Sequence, residues 1–299
     1  MIKKIIYSFL VIIISNNVRA QVAEPTILSG AVSYDIPSKI LNTPIRISVS
    51  LPQGYDKNGS KKYPVLYVLD GFYSFPIIHE LNKVMSGEIE PVIIVGLGDN
   101  RMSIPEWLVS RYPLLTHDKD TYEDSYHSNN MKTKLVSGSG QSYYDAIKTE
   151  VIPFIEKNYA TNDDRGLVGH SLGGLFTSHV LFKDNGYFKR FGINSAALFV
   201  NDEEPFKLEQ KYFDSKKQLV GKVFLSAAGL EGDKLFVIRT NNFANALRSR
   251  QYRDLKVDSY IFPDESHGSV IGAMLSRSLY SLYGLNVDRS IGKGHKAAD

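Results

Sequence analysis

Leu167-Val168-Gly169-His170-Ser171-Leu172-Gly173-Gly174-Leu175-Phe176-Thr177-Ser178-His179-Val180-Leu181 is the stretch that decides the fold. Its first residues predict a short strand over Gly166–Gly169, and the run from Ser171 to Phe182 predicts a helix. Between them Gly169-His170-Ser171-Leu172-Gly173 fits G-x-S-x-G. A serine on a sharp strand-to-helix turn is a nucleophile elbow. The turn strains the backbone at the serine, and the flanking glycines remove side chains that would clash there. The helix also aims its first amides at the hydroxyl, which favours negative charge. A phosphate-binding P-loop needs a lysine before its Ser/Thr, and His170 occupies that position. Ser171 is therefore the candidate nucleophile.

The surrounding chain alternates strands and helices. Residues 27–51 read as two strands, the second, Ile45 to Leu51, alternating apolar and polar. Tyr63 to Leu69 and Val92 to Leu97 are apolar runs that suit strands buried on both faces of a parallel sheet. Residues 73–86 between them carry helical spacing, as do Ser142 to Tyr159 and Asn241 to Arg250. Phe191–Ser195, Val223–Ala227 and Val257–Phe262 read as further strands, and Val270–Tyr283 as a terminal helix. The pattern predicts an α/β protein with a mostly parallel central sheet flanked by helices. Residues 99–140 break it. They are polar, with few apolar runs, and carry Trp107, Tyr112, Tyr122, Tyr126, His117 and His127. So long an insertion in a compact protein suits a flap or lid.

A serine nucleophile needs a base, and the base an orienting acid. With this type of elbow the chain order is serine, acid, histidine. Of the seven histidines, His79, His117, His127 and His170 precede Ser171. His179 lies on the following helix and His295 in the polar tail. His267 remains, in the polar loop Pro263-Asp264-Glu265-Ser266-His267-Gly268 after a strand. The acid belongs on the loop after Val223–Ala227, where Gly229-Leu230-Glu231-Gly232-Asp233 offers Glu231, with Asp233 as the alternative. Asp202, Glu203 and Glu204 are more distant options. The oxyanion hole should use the backbone N–H of Leu172 and a second amide after an earlier strand. Leu69-Asp70-Gly71-Phe72 ends such a strand, and the N–H of Phe72 is the expected second donor.

Composition excludes several other classes. The 299 residues are 43% hydrophobic and 22% charged with a net charge of +3, and the basic residues are scattered. That is no nucleic-acid stripe. With no cysteine there are no disulfides, thiolate metal sites or cysteine nucleophile. His117 and His127 have no metal-binding spacing with other ligands, so no metal or other cofactor is expected. At the N-terminus Lys3 and Lys4 precede an apolar run from Ile5 to Ile14, and Val18-Arg19-Ala20 suits cleavage before Gln21. This is the layout of a signal peptide over residues 1–20, too short for a membrane span. It leads to the expectation of a periplasmic or secreted mature chain, 21–299, forming one domain without a stable membrane anchor.

Several separated segments resemble the putative-esterase family, the esterase D type of α/β-hydrolase. Ile47-Ser48-Val49-Ser50-Leu51-Pro52-Gln53-Gly54-Tyr55 is similar to its strand ending L-P-x-G-Y. Tyr63-Pro64-Val65-Leu66-Tyr67-Val68-Leu69-Asp70-Gly71 is similar to its Y-P-V-L-Y-L-L-D-G. Val151-Ile152-Pro153-Phe154-Ile155-Glu156-Lys157-Asn158-Tyr159 and the elbow follow in order. Gly229-Leu230-Glu231 and Glu265-Ser266-His267-Gly268 look most like the bacterial siderophore-esterase branch. The resemblance implies an α/β-hydrolase fold and a serine esterase acting on a small-molecule ester of siderophore, aryl or sugar type. That branch places arginines for an anionic catecholate complex, and the insertion here holds only Arg101 and Arg111. An acyltransferase on the same scaffold and a non-catalytic binding protein are the alternatives, and the sequence leaves the oligomeric state open.

Overall fold

The computed structural model describes residues 28–285, apart from Asn100, Lys216 and Asp233. The expected leader over 1–20 and the alternative acid Asp233 lie outside the described residues.

Eight strands form one sheet: β1 (Ala31–Ile36), β2 (Ile45–Ser50), β3 (Tyr63–Val68), β4 (Ile93–Leu97), β5 (Thr161–His170), β6 (Arg190–Asn194), β7 (Gly221–Ala228) and β8 (Leu255–Phe262). Their spatial order is β1-β2-β4-β3-β5-β6-β7-β8. β1 and β2 run antiparallel to their neighbours, and β3 to β8 are parallel. This is the sheet of an α/β-hydrolase. The apolar runs explain why its centre is covered twice. Along β3 and just past its end, Val65, Tyr67 and Leu69 join one core while Leu66 and Val68 join the other, as the two-residue period of a strand requires.

Helices supply the other half of each core. On one face α1 (Gly71–Val84) brings Phe75 and Ile78, and α9 (Val270–Tyr283) brings Met274, Leu275 and Leu279. The other face is covered by α6 (Leu172–Val180), α8 (Leu235–Ser249) and a continuous helical stretch. That stretch consists of α4 (Gly140–Ala146), one π-turn (Ile147–Val151) and α5 (Ile152–Asn158). Pro153 follows the π-turn directly, and inside this continuous stretch its missing N–H leaves one backbone carbonyl without a helical donor.

Two regions differ from the sequence expectation. The insertion contains helices α2 (Ile104–Leu115) and α3 (Thr121–Met131). The Glu106 carboxylate accepts from the Ser103 amide at 2.8 Å and so fixes the start of α2, while Asp120 accepts from the amides of Tyr122 and Glu123 at the start of α3. The amides of Ser139 and Gly140 bond back to the carbonyls of Pro113 and Thr116, closing the insertion on itself. Trp107 stacks on Phe72 at 5.7 Å and Tyr112 is buried, whereas Tyr122 and Tyr126 face solvent. The second region is α7 (Val200–Asp214), in a stretch the sequence did not mark as helical. Its first turn is not regular, because Asn201, Asp202 and Glu203 all adopt positive φ.

Candidate active site

The parallel register of β3 and β5 pairs Val68 with Val168, so the next residues of both strands emerge side by side at the carboxyl edge of the sheet. Asp70-Gly71-Phe72 leads into α1 there, and His170-Ser171-Leu172 into α6. Ser171 has φ 60° and ψ −119°, the strained geometry expected of an elbow. Its amide bonds the carbonyl of Asn194 at 3.0 Å, and its own carbonyl accepts from Leu175 and Ala197. These contacts hold the strain in place. Gly169 permits the turn, since a Cβ there would lie 2.2 Å from the Gly173 backbone.

Gly71 allows a close approach on the other loop. A Cβ there would lie 3.0 Å from the backbone of Gly96 and Leu97. The amides of Phe72 and Leu172 both fall in the first turn of a helix, where no intrahelical acceptor exists.

The loops after β7 and β8 bring the acid and base together. The Gly229 amide bonds the carbonyl of Phe262 at 2.7 Å, and the Leu230 amide that of Glu265 at 2.9 Å. Stitched in this way, the loops set Glu231 Oε1 2.5 Å from His267 Nδ1. The Glu231 side chain is only 2% exposed, and that of His267 is 41% exposed. The His267 ring sits 4.4 Å from the ring of His170, the neighbour of Ser171, and 5.0 Å from Phe236 of α8. Ser171, Glu231 and His267 thus converge from three loops at one edge of the sheet. Of the other carboxylates weighed, Asp202 pairs with Lys207 and Glu203 with Arg239.

Three features of this edge were not legible in the sequence. His170 is buried, and its Nδ1 shares a 3.2 Å hydrogen bond with the Tyr73 hydroxyl. Burial, with His267 and Arg111 beside it, holds the imidazole well below the ordinary histidine range, so it stays neutral. Burial and the Asp70 charge raise the Tyr73 phenol, which stays protonated. Phe236 meets Phe199 edge-on at 5.1 Å, and with Phe72, Tyr73 and Trp107 they surround the edge with aromatic rings. The third feature is Arg111 of α2, buried and paired through Nε and Nη2 with both oxygens of Asp70, at 2.6 and 2.7 Å. Arg101, the other arginine of the insertion, pairs with Asp99 and Asp35. A cavity of about 280 Å³ lies against the Asp70–Arg111 pair, with Leu41, Leu97, Trp107 and Tyr143 among its walls. Ser171, Glu231 and His267 are not among them.

The insertion is anchored by a second titratable cluster. Lys183 donates to His117 at 2.9 Å and to Gln141 at 2.6 Å. His117 meets His179 of α6 at 4.9 Å, and His179 faces Glu204 of α7 at 3.5 Å. Burial, with His117 beside it, holds His179 down to about 3, so it is neutral. Burial, then the hydrogen bond and charge of Asp118, raise Glu204 to about 7. Between the ordinary glutamate value and about 7 the folded chain holds a proton that the unfolded chain has lost. Stability therefore falls as pH rises through that window. The expected loss between pH 5.5 and 8.5 is about 1–2 kcal/mol, reduced by solvent screening at exposed Asp118. Urea melts of wild type and Glu204→Gln at both pH values check this. A wild-type midpoint that does not fall more than the variant's contradicts the assignment. His127 lies apart, 3.2 Å from Glu123. Among the described residues no group of three or more His, Cys, Asp or Glu is arranged to hold a metal ion, and no helix is long and apolar enough to cross a membrane.

An α/β-hydrolase sheet carrying a serine elbow beside a Glu–His pair is the arrangement of serine hydrolases. Residues 38–257 match the family described as Putative esterase, and the chain belongs to it. It is 24% identical over 245 residues to the apo-salmochelin esterase of Escherichia coli O6:H1, covering 77% of this chain and 72% of that one. It is 27% identical over 237 residues to the ferri-bacillibactin esterase BesA of Bacillus subtilis, covering 73% and 78%. The solved IroE-like serine hydrolase from Shewanella oneidensis shares the fold, with a TM-score of 0.73 at 24% identity over 85% of this chain and 80% of that one.

Proposed function

We propose that this esterase cleaves carboxylic esters through an acyl-enzyme on Ser171. The observation that carries the reading is the buried Glu231 carboxylate 2.5 Å from His267 Nδ1, with His267 packed against the residue that precedes Ser171. Held in this tautomer, His267 has Nε2 available to take the Ser171 proton. The freed oxygen attacks the ester carbonyl, and the amides of Leu172 and Phe72 receive the oxyanion. As the intermediate collapses, His267 returns the proton to the leaving alcohol. Water then attacks the acyl-enzyme by the same route and frees the acid. No step calls for a cofactor.

The substrate is an aryl-bearing ester of the siderophore type. Two relatives are named for siderophore ester cleavage, and five aromatic rings stand around the catalytic edge, where a phenolic acyl group would stack. Both arginines of the insertion are engaged by internal carboxylates, which favours the iron-free ester over its anionic ferric complex. We further read residues 1–20 as a cleaved leader, which places the working enzyme in the periplasm or medium. The test is a comparison of kcat/KM on a catecholate trilactone, iron-free and ferric, and on acetylated xylo-oligosaccharide. The iron-free trilactone is expected to be best by at least tenfold. Preference for the sugar ester would sink the substrate assignment.

A further inference from the structure

Asp70 stands at the N-cap of α1, the position where an aspartate ordinarily accepts from the amides of its own first turn. Here it does not: no side-chain capping bond is made. Its backbone is left-handed, at φ 53° and ψ 45°. Both carboxylate oxygens are turned instead to Arg111, and Oδ1 also accepts from the Trp107 indole at 3.2 Å. The Arg111 guanidinium lies over the Trp107 ring at 4.8 Å and reaches the carbonyl of His170 at 3.4 Å. The same carboxylate touches the elbow, since a Cβ on Gly173 would lie 3.0 Å from Oδ2.

We infer that Arg111 is a positioning residue that keeps the Asp70 carboxylate off the oxyanion hole. This rests on the esterase reading above, in which the Phe72 amide receives the oxyanion. A carboxylate at an N-cap ordinarily takes the amide of the second or third helical residue; here the third, that of Tyr73, already bonds the Asp70 carbonyl at 3.1 Å, which leaves the amide of Phe72. Left alone, the Asp70 carboxylate would compete for the Phe72 N–H and put a negative charge where another must develop. The planar fork of Arg111 matches both carboxylate oxygens at once, neutralises the charge and leaves the Phe72 amide open. Its contact with the His170 carbonyl ties the first oxyanion loop to the strand that carries the second. The insertion therefore reaches the chemistry through a buried side chain of α2.

The test compares wild type, Ser171→Ala, Arg111→Lys, Arg111→Met and Arg111→Met/Asp70→Ala on a p-nitrophenyl ester and with phenylboronic acid. Arg111→Met is expected to lower kcat by about 10²-fold, the scale of losing one oxyanion donor, with KM within about twofold. Inhibition by the boronate, whose serine adduct is anionic, should weaken in parallel. Removing the stranded carboxylate in the double variant should restore kcat by at least about tenfold over the single one. Arg111→Lys keeps the charge without the fork, is expected to lose about tenfold in kcat, and stands in if Arg111→Met does not fold. A kcat within threefold of wild type in both single variants, or a double variant no faster than Arg111→Met, overturns the proposal. Activity persisting in Ser171→Ala would instead overturn the esterase site itself. A silent Ser171→Ala beside fully active Arg111 variants would leave that site standing and the inference lost.

Discussion

Ser171→Ala is expected to lower kcat on a short-chain p-nitrophenyl ester by about 10⁴- to 10⁶-fold, with KM nearly unchanged. The size follows from the proposed mechanism. Without the hydroxyl there is no acyl-enzyme, and His267 and the amides of Leu172 and Phe72 can assist only direct attack by water. Such residual catalysis by binding and oxyanion stabilisation is about 10³–10⁴ over the uncatalysed rate. The fold should survive, because the elbow is held by backbone bonds from Ser171 to Asn194, Leu175 and Ala197, which alanine keeps. The melting temperature is expected to stay within a few degrees of wild type, a change of about 1 kcal/mol or less. Steady-state kinetics and a thermal melt on the same preparations decide the matter. A folded variant that keeps more than a hundredth of the wild-type kcat would remove Ser171 from the reaction.

The candidate triad could be read from the sequence because its chemistry constrains chain order as well as residue type. His267 and Glu231 each stand just past a strand, and parallel strands deliver such loops to one edge. The terminal helix was equally legible: Val270, Met274, Leu275, Leu279 and Leu282 recur at helical spacing and all are buried. Elements without such a stripe were not. β5 begins at Thr161, well before the apolar Leu167-Val168, because its polar start still pairs with β3 across a bulge. Periodicity within one segment does not show a partner strand. The opening of α7 turns through three positive-φ residues, which side-chain patterning cannot encode. In the insertion Ser103-x-x-Glu106 was a readable helix start, with Trp107, Arg111 and Leu115 at fourfold spacing behind it. What no local signal could show is that Arg111 meets Asp70, which lies 41 positions away. That pairing exists only once α2 is laid across the end of the sheet.

Glu231→Gln is the second large effect, about a 10³- to 10⁴-fold loss of kcat with little change in KM. The substitution is nearly isosteric and sits in a site that is 2% exposed, so packing is preserved and the change is one of charge. In the ground state glutamine can still accept from His267 Nδ1 and keep the ring turned correctly. In the proposed transition state His267 carries the Ser171 proton and becomes a cation. A carboxylate 2.5 Å away then stabilises it, and a neutral amide does not. The glutamine can also turn its amino group towards Nδ1, which selects the wrong tautomer and leaves Nε2 unable to act as base. Stability should move the other way or not at all. Glu231 Oε2 is buried with no hydrogen-bond partner, and a neutral group in that place carries a smaller desolvation cost than a carboxylate. The expected signature is a protein that melts no lower than wild type, is labelled by a fluorophosphonate at least a hundredfold more slowly, and turns over about 10³-fold more slowly or worse. A loss of less than tenfold would mean that Glu231 is not the orienting acid. Asp233, two residues further along the sequence, would then be the group to replace.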